Sequence, residues 1–375
     1  MLRSTTTGFT KHCLGAALVT AFVVGGMAQS AFAGGKVDMS PIPADPKDER
    51  VQLRSVTRWC GEGFRIKRSQ HYSIIYDTSE EDVAVFQRGI ERTYRWCMRY
   101  CNGLGIPTHK PANKLITHFF DDFNDYRTNG YICGSPGLTP NTLGFYTDRT
   151  NYTYFYNFRN TPSYKAFRDR AERQIKQLAE RLKGNIPAQE RAAIREQIKR
   201  LRATANFTLV EGGATTEETL QHEVAHQVLF NIGFHNQRAG LQKGANPRWL
   251  AEGIAQLFEP VGDGNESGFG SVNKKSRDIF LILARREQLF PIKVFVANWN
   301  PFGAPGIAYP QSWALVHYLT RMKRDELVGY VTDLNARPPE FESTPEQEIA
   351  LFEKHFGKVN EEWEADWKDW IEDVH

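Results

Sequence analysis

No surplus of one charge sign marks this chain. Its 47 Lys and Arg face 44 Asp and Glu, a net +3 over 375 residues. That balance supplies no general basic face of the kind a nucleic-acid binder needs, and nucleic acid is not expected as a partner. Long apolar runs are missing too: Leu14 to Ala28 is the longest, short of the roughly 20 residues a spanning helix requires. No internal repeat recurs at a spacing of roughly 20 to 50 residues, which sets aside solenoids and propellers. Cysteine is sparse, five in all, and paired C-x-x-C knuckles are absent, which argues against a four-thiolate zinc site. What is present, 41% hydrophobic and 24% charged residues, is ordinary globular composition, neither disordered nor collagenous nor multi-span.

Residues 1–33 read as a signal peptide. Arg3 and Lys11 precede the apolar run, and Ala31-Phe32-Ala33 forms an A-x-A cleavage site before Gly34. The expectation is a secreted or periplasmic protein with no stable transmembrane segment after cleavage. Removal leaves a net +1 and four cysteines, Cys60, Cys97, Cys101 and Cys133, an even number suited to disulfides in an oxidising compartment. Cys97 and Cys101 share a helix face, so each is expected to reach a different partner, one Cys60 and the other Cys133, in an order that the spacing leaves open.

Pro41, Pro43 and Pro46 make 34–52 an extended leader. Over 53–160, strands at His71–Tyr76, Lys114–Phe120, Gly144–Thr147 and Tyr152–Phe158 alternate with a helix from Glu80 to Cys101. Residues 161–205 form an inserted helical hairpin with apolar spacing at Phe167, Ala171, Ile175, Leu178 and Leu182, and again at Ile194, Ile198 and Leu201. Within 163–204, 12 Lys and Arg against 5 Asp and Glu give +7, leaving −6 for the rest of the mature chain. This is either a solvated insertion or a surface that docks an anionic partner, such as cell-wall polymer or lipid headgroups. Residues 206–375 are expected to be mostly helical, with Trp363, Trp367 and Trp370 burying the last helix.

Chemistry gathers at Thr219-Leu220-Gln221-His222-Glu223-Val224-Ala225-His226-Gln227. A capping box at Thr215 and Glu218 and a C′ glycine at Gly233 predict a helix over 216–232. On it His222 and His226 lie one turn apart on one face, able to ligate one Zn²⁺. Glu223 beside them is placed to take a proton from a metal-bound water. Asn246-Pro247 should cap a second helix running from Arg248 to Glu259. There Glu252, set among apolar neighbours, is the expected third ligand, with Glu259 in reserve. Glu259 or Gln256 should hold a histidine Nδ1–H. Gly253 and Ala255 should let the two helices approach closely. His235 is a further candidate for the cleft wall, while His71, His109, His118, His317, His355 and His375 show no ligand spacing.

His222-Glu223-Val224-Ala225-His226 followed by Trp249-Leu250-Ala251-Glu252-Gly253-Ile254-Ala255 resembles the gluzincin metallopeptidases, whose pattern is H-E-x-x-H and W-L-x-E-G-x-A. More narrowly, the chain is similar to bacterial peptidase MA-like proteins, which share a G-F-Y edge like Gly144-Phe145-Tyr146 and a helix like Tyr309 to Leu315. The resemblance is strongest over 215–260 and absent over the hairpin. The G-x-M-E-N strand of the aminopeptidase branch is missing, which argues against an aminopeptidase. The resemblance implies a zincin-like α+β fold: a small mixed sheet with helices in the N-terminal half, and a mostly helical C-terminal half. It also implies one Zn²⁺ per chain and a peptide or protein substrate, with Tyr309 as oxyanion donor and Gly144–Thr147 or Tyr152–Phe158 as the edge holding an extended peptide. The expected activity is that of a zinc-dependent endopeptidase or related amide hydrolase. The alternative is a non-catalytic, zinc-stabilised envelope binding protein, for which Glu223 would have no use.

Overall fold

The computed structural model describes residues 63–374 apart from 133–134, 136, 149, 236–245, 262–269, 298–302 and 339–340. The expected signal peptide and leader lie outside the described residues, as do Cys60 and Cys133. Strand β1 (Arg65–Arg68) turns back antiparallel into β2 (Tyr72–Tyr76), and α1 (Glu80–Leu104) carries the chain over to β3 (Leu115–Phe120). Helix α2 (Phe123–Ile132), β4 (Gly144–Thr147) and β5 (Tyr152–Tyr156) complete one mixed sheet of order β1-β2-β3-β5-β4. Strands β2, β3 and β5 run parallel, and β1 and β4 are antiparallel edges.

The three parallel strands are buried at every residue, because both faces of the sheet are covered. Tyr72, Ile74, Leu115, Phe119 and Phe155 face the main core with α1. Ile75, Ile116, Phe120, Tyr154 and Tyr156 face a second cluster around Tyr126 of α2. Helix α1 starts where Ser79 accepts the Asp82 N–H and ends at Gly105, whose φ of 81° is one that glycine adopts freely. Its inward stripe includes Cys97 and Cys101, both buried free thiols. Burial pushes the Cys101 thiol up to about 12. The partners expected for them, Cys60 and Cys133, lie outside the described residues.

After a 3₁₀ turn at Phe158–Asn160, α3 (Pro162–Arg181) and α4 (Ala188–Asn231) form the expected hairpin, with α3 capped by Thr161. The structure corrects one boundary here. No helix starts at Thr215: α4 is a single helix of 44 residues whose first half is the hairpin arm and whose second half carries His222 and His226. No proline interrupts it, and Gly212 is accommodated because a Cβ there would meet the Phe158 ring at 2.5 Å.

The C-terminal half is helical: α5 (Arg248–Gln256), α6 (Lys274–Arg285), α7 (Ile292–Ala297), α8 (Pro305–Met322), α9 (Arg324–Asn335), α10 (Pro345–Phe356) and α11 (Glu361–Glu372). Helix α8 is its hub, buried along Pro310 to Leu319. Trp367 is fully buried against Phe280, with Trp363 and Trp370 partly buried on the same core. The three tryptophans thus fasten α11 to the domain, the fully buried Trp367 contributing roughly 1.5–3 kcal/mol and the other two less. No described helix is long and apolar enough to cross a membrane.

Candidate metal centre

The second half of α4 is held against the sheet by polar anchors as well as apolar ones. Gln227 donates to the carbonyls of Ile116 and Asn151, and Thr153 Oγ1 donates to Gln227 Oε1. Asn231 and Asn151 exchange a reciprocal amide pair at 2.7 and 2.8 Å. The helix ends as expected at Gly233, with φ 91° and the Phe234 N–H bonded to Leu229 O. These contacts fix the rotation of α4, and with it the direction of both histidines.

His222 Nε2, His226 Nε2 and Glu252 Oε2 converge from α4 and α5. His222 lies 3.3 Å and His226 3.4 Å from Glu252 Oε2, and the two Nε2 atoms are 3.1 Å apart. Ligands about 2.0–2.1 Å from a tetrahedral ion lie about 3.3 Å from one another, so this triangle has the dimensions of three ligands around a single ion. The group could hold a metal ion, and among the described residues no other group of this kind is found. On the far edge of the ring, Glu259 Oε1 accepts from His222 Nδ1 at 2.7 Å. That hydrogen bond fixes the orientation of the ring and aims Nε2 into the triangle.

Glu259 is therefore the histidine-orienting acceptor and not a ligand. Gln256, the other candidate, bonds Tyr309 O and Ser276 instead. Glu259 is itself held by Asn273 Nδ2 at 2.7 Å.

The second helix differs in three details. It begins at Arg248 with Pro247 as its cap residue, and ends at Gln256, before Glu259. Asn246 does not cap it; its amide is 2.5 Å from His235 Nδ1. Gly253 does not serve the approach to α4 but the approach to α8, where a Cβ would fall 2.4 Å from Ser312 O. Close packing on α8 sets the depth at which Glu252 meets the histidines.

Glu223 is buried beside the triangle, and its Oε2 accepts the Tyr146 N–H of β4 at 2.8 Å. Burial raises its pKa, and the Glu252 charge adds to this against the opposing pull of His222 and His226. Burial also opposes charge on His222, yet hydrogen bonds to Glu252 and Glu259 lift its pKa well above the usual value. Glu252, despite burial, is held well below the carboxylate range by the two histidines. The carboxylates thus divide into one kept ionised against the histidines and one poised to take a proton.

Strand β4, not β5, is the sheet edge beside the site, since β5 is paired on both sides. The Tyr156 N–H bonds Leu143 O, so residues 143, 145 and 147 bond inward, while Gly144 and Tyr146 direct their backbone groups away from β5. Tyr309 lies in the first turns of α8, which begins at Pro305 and not at Tyr309. Its ring centre is 6.4 Å from that of His222, and burial followed by the Glu252 charge raises its pKa well above the usual value. His235 is buried, with its pKa pushed down to about 3 by burial and by His226; it packs on Phe230 and Phe234 and does not join the triangle.

Sequence reasoning missed three participants. Arg248 Nε stands 3.4 Å from Glu252 Oε1, on the oxygen turned away from the histidines; the i,i+4 spacing could have flagged it. Asn273 comes from a separate helix cap, and the Tyr146 contribution is a backbone N–H. Neither leaves a side-chain pattern to read.

A family model described as "Protein of unknown function (DUF1570)" matches residues 217–340, the stretch from the His-Glu-His segment through α5 to α9. No curated protein matches the chain.

Proposed function

We propose that the protein is an exported, gluzincin-like zinc hydrolase that cleaves peptide bonds, most simply as an endopeptidase. One observation carries the reading: a metal-sized triangle of His222, His226 and Glu252 with a buried carboxylate, Glu223, held beside it by an edge strand. A purely structural metal site has no need of a general base in that position.

A Zn²⁺ held by these three residues would make a bound water acidic near neutral pH and polarise the scissile carbonyl. The chain's own residues do the rest. Glu223, with Oε2 held by the Tyr146 N–H, presents Oε1 to accept a proton and return it to the leaving amine. Gly144 and the Tyr146 carbonyl pair an extended peptide along β4, the Tyr146 N–H remaining on Glu223. Tyr309, whose ring lies beside that of His222, donates to the developing oxyanion. Arg248 and Glu259 steady Glu252 and His222 respectively, so that neither ligand reorients during turnover. The signal-peptide pattern of residues 1–33 supports export.

The test pairs zinc content with turnover. Wild type should bind about one zinc per chain and cleave members of a peptide library. Glu223→Gln should keep the zinc and lose cleavage; Glu252→Ala should lose the zinc. A wild type that takes up zinc but cleaves nothing in the library would turn the reading to the zinc-stabilised binding protein, and one that takes up no zinc would sink both.

A further inference from the structure

The hairpin arm has its own electrostatic logic. Each of its acids is already paired within the arm: Asp169 and Glu172 with Arg168, Glu180 with Lys183, Glu190 with Arg181, and Glu196 with Arg200. Arg191 is spent on the turn, donating to the carbonyls of Leu182 and Gly184. Lys165, Arg170, Arg173, Lys176, Arg195, Lys199 and Arg202 remain, without an ion pair among the described residues; all but the half-buried Lys165 are exposed. Arg195, Lys199 and Arg202 follow helical spacing along one flank of α4, beside the seam of Ile194, Ile198 and Leu201.

Such an arm repels itself. Its apolar seam is thin, burying only Ala171, Leu178 and Ile194 fully, so the uncompensated charge is not a by-product of a strong core. None of the exposed large hydrophobic side chains of the described residues lies on the arm. The partner it fits is therefore reached by charge and not by insertion.

We infer that the arm is a peripheral docking element for a bilayer surface rich in anionic headgroups. Charge complementarity points to an anionic partner, and shape selects the bilayer. The cations are spread along the flanks of a rod about 25 Å long; the cleft between its two helices takes only Arg202 of the unpaired set, so they are not gathered in a groove that would seat one polymer strand. A plane of headgroups offers charge at every point along such a rod, and cations near an anionic surface contribute cumulatively. The remainder of the chain is net negative, so the same surface repels it and orients the molecule arm-first. Because arm and metal centre share α4, docking also sets the site's distance from the surface: Arg202 to His222 is about 30 Å of helix.

The experiment is co-sedimentation of the whole protein with vesicles of phosphatidylcholine alone or mixed with phosphatidylglycerol. Three chains are compared: wild type, Arg195→Gln/Lys199→Gln/Arg202→Gln, and a charge-matched control, Arg286→Gln/Arg324→Gln/Lys358→Gln. Circular dichroism checks that each is folded. Binding should require phosphatidylglycerol, fall at least tenfold in the arm variant, persist in the control and vanish in high salt.

Equal binding to neutral vesicles, or an equal loss in the control, would overturn the proposal. So would arm-dependent binding to soluble polyphosphate without vesicle binding, which would assign the arm to a polymer. Arm-dependent self-association seen by analytical ultracentrifugation, without vesicle binding, would make a second copy the partner instead. None of these readouts depends on hydrolytic activity, so the arm and the metal centre stand or fall separately.

Discussion

One helix, α4, spans two environments that obey different rules. Over residues 188–204 it buries Ile194 alone, and its cations face water; from Thr219 to Leu229 every residue is buried. The backbone is equally regular in both stretches. Helix formation is cooperative, so a chain with no proline to stop it propagates through a change of function. Packing, not secondary structure, marks where the arm ends and the site begins. Substitutions should therefore act quite differently on the two halves.

The largest effect belongs to the buried half. Glu223→Gln keeps the shape of the side chain and its contact with the Tyr146 N–H, but cannot accept a proton. If the proposed chemistry holds, kcat should fall by about 10²- to 10⁴-fold, with zinc content and thermal stability close to wild type. Steady-state kinetics beside metal analysis reads both. Metal lost together with activity would show that Glu223 shapes the site and does not serve as its base.

One shell further out the effect should shrink. Glu259→Gln keeps an acceptor near His222 Nδ1 but removes its charge, and metal affinity should drop about 10- to 100-fold. Asn273→Ala, which frees Glu259, should show a smaller loss in the same direction. Competition with a chelator measures both. An unchanged affinity for Glu259→Gln would mean that the 2.7 Å contact packs the ring without tuning it.

Next comes the support of the third ligand. Gly253→Ala drives a methyl group into Ser312 O, 2.4 Å away, and α5 must move off α8. Overpacking of this kind costs roughly 1–3 kcal/mol, and Glu252 should shift with the helix. Urea denaturation and zinc affinity should both report it. A stability loss with zinc affinity intact would place the Glu252 carboxylate under the control of Arg248 more than of helix depth.

These residues differ in how far the sequence announced them. His222, Glu223 and His226 were legible because one helix turn brings them together, and local periodicity encodes such proximity. Glu252 was legible as an unexplained carboxylate in apolar company. The parallel strands were legible as short apolar runs, whereas β1, Arg65-Ile66-Lys67-Arg68, is an exposed edge that no hydrophobic pattern marks. The start of α4 was misplaced because Thr215 and Glu218 carry a capping pattern that tertiary continuity overrode. Gly253 signalled close approach correctly, yet no sequence rule says which of two neighbouring helices does the approaching. Asn246 looked like a cap and instead met His235, a choice made by long-range packing.

Acid should expose another difference between buried and solvated groups. Burial in the sheet pushes the His118 pKa down to about 3, from about 6.5 in an unfolded chain. Below about pH 6.5 the unfolded chain takes up a proton that the folded protein refuses until about pH 3. Stability therefore falls as pH drops through that window, by up to about 1.4 kcal/mol per pH unit from this residue. His118→Leu should flatten the decline in urea midpoint between pH 6 and pH 4. His235, also held near 3, would retain its own share, so the slope should diminish and not vanish. An unchanged slope would mean that water reaches the ring from the α2 side.

The smallest effect sharpens the contrast most. Arg195→Gln/Lys199→Gln/Arg202→Gln changes three exposed side chains with no ion pair among the described residues, and surface changes of that kind usually stay within about 0.5 kcal/mol each. Relief of repulsion within the arm should even offset part of any loss. Gln227→Ala, a single change about 25 residues further along the same helix, strips hydrogen bonds from two carbonyls and a threonine hydroxyl in the core. It should cost about 1–3 kcal/mol for each acceptor left unsatisfied. One buried substitution should thus outweigh three exposed ones in the same urea titration. If the arm variant proved as damaging as Gln227→Ala, the arm would have to be packed against the body of the protein. Its cations would then be structural, and α4 would be one environment along its whole length.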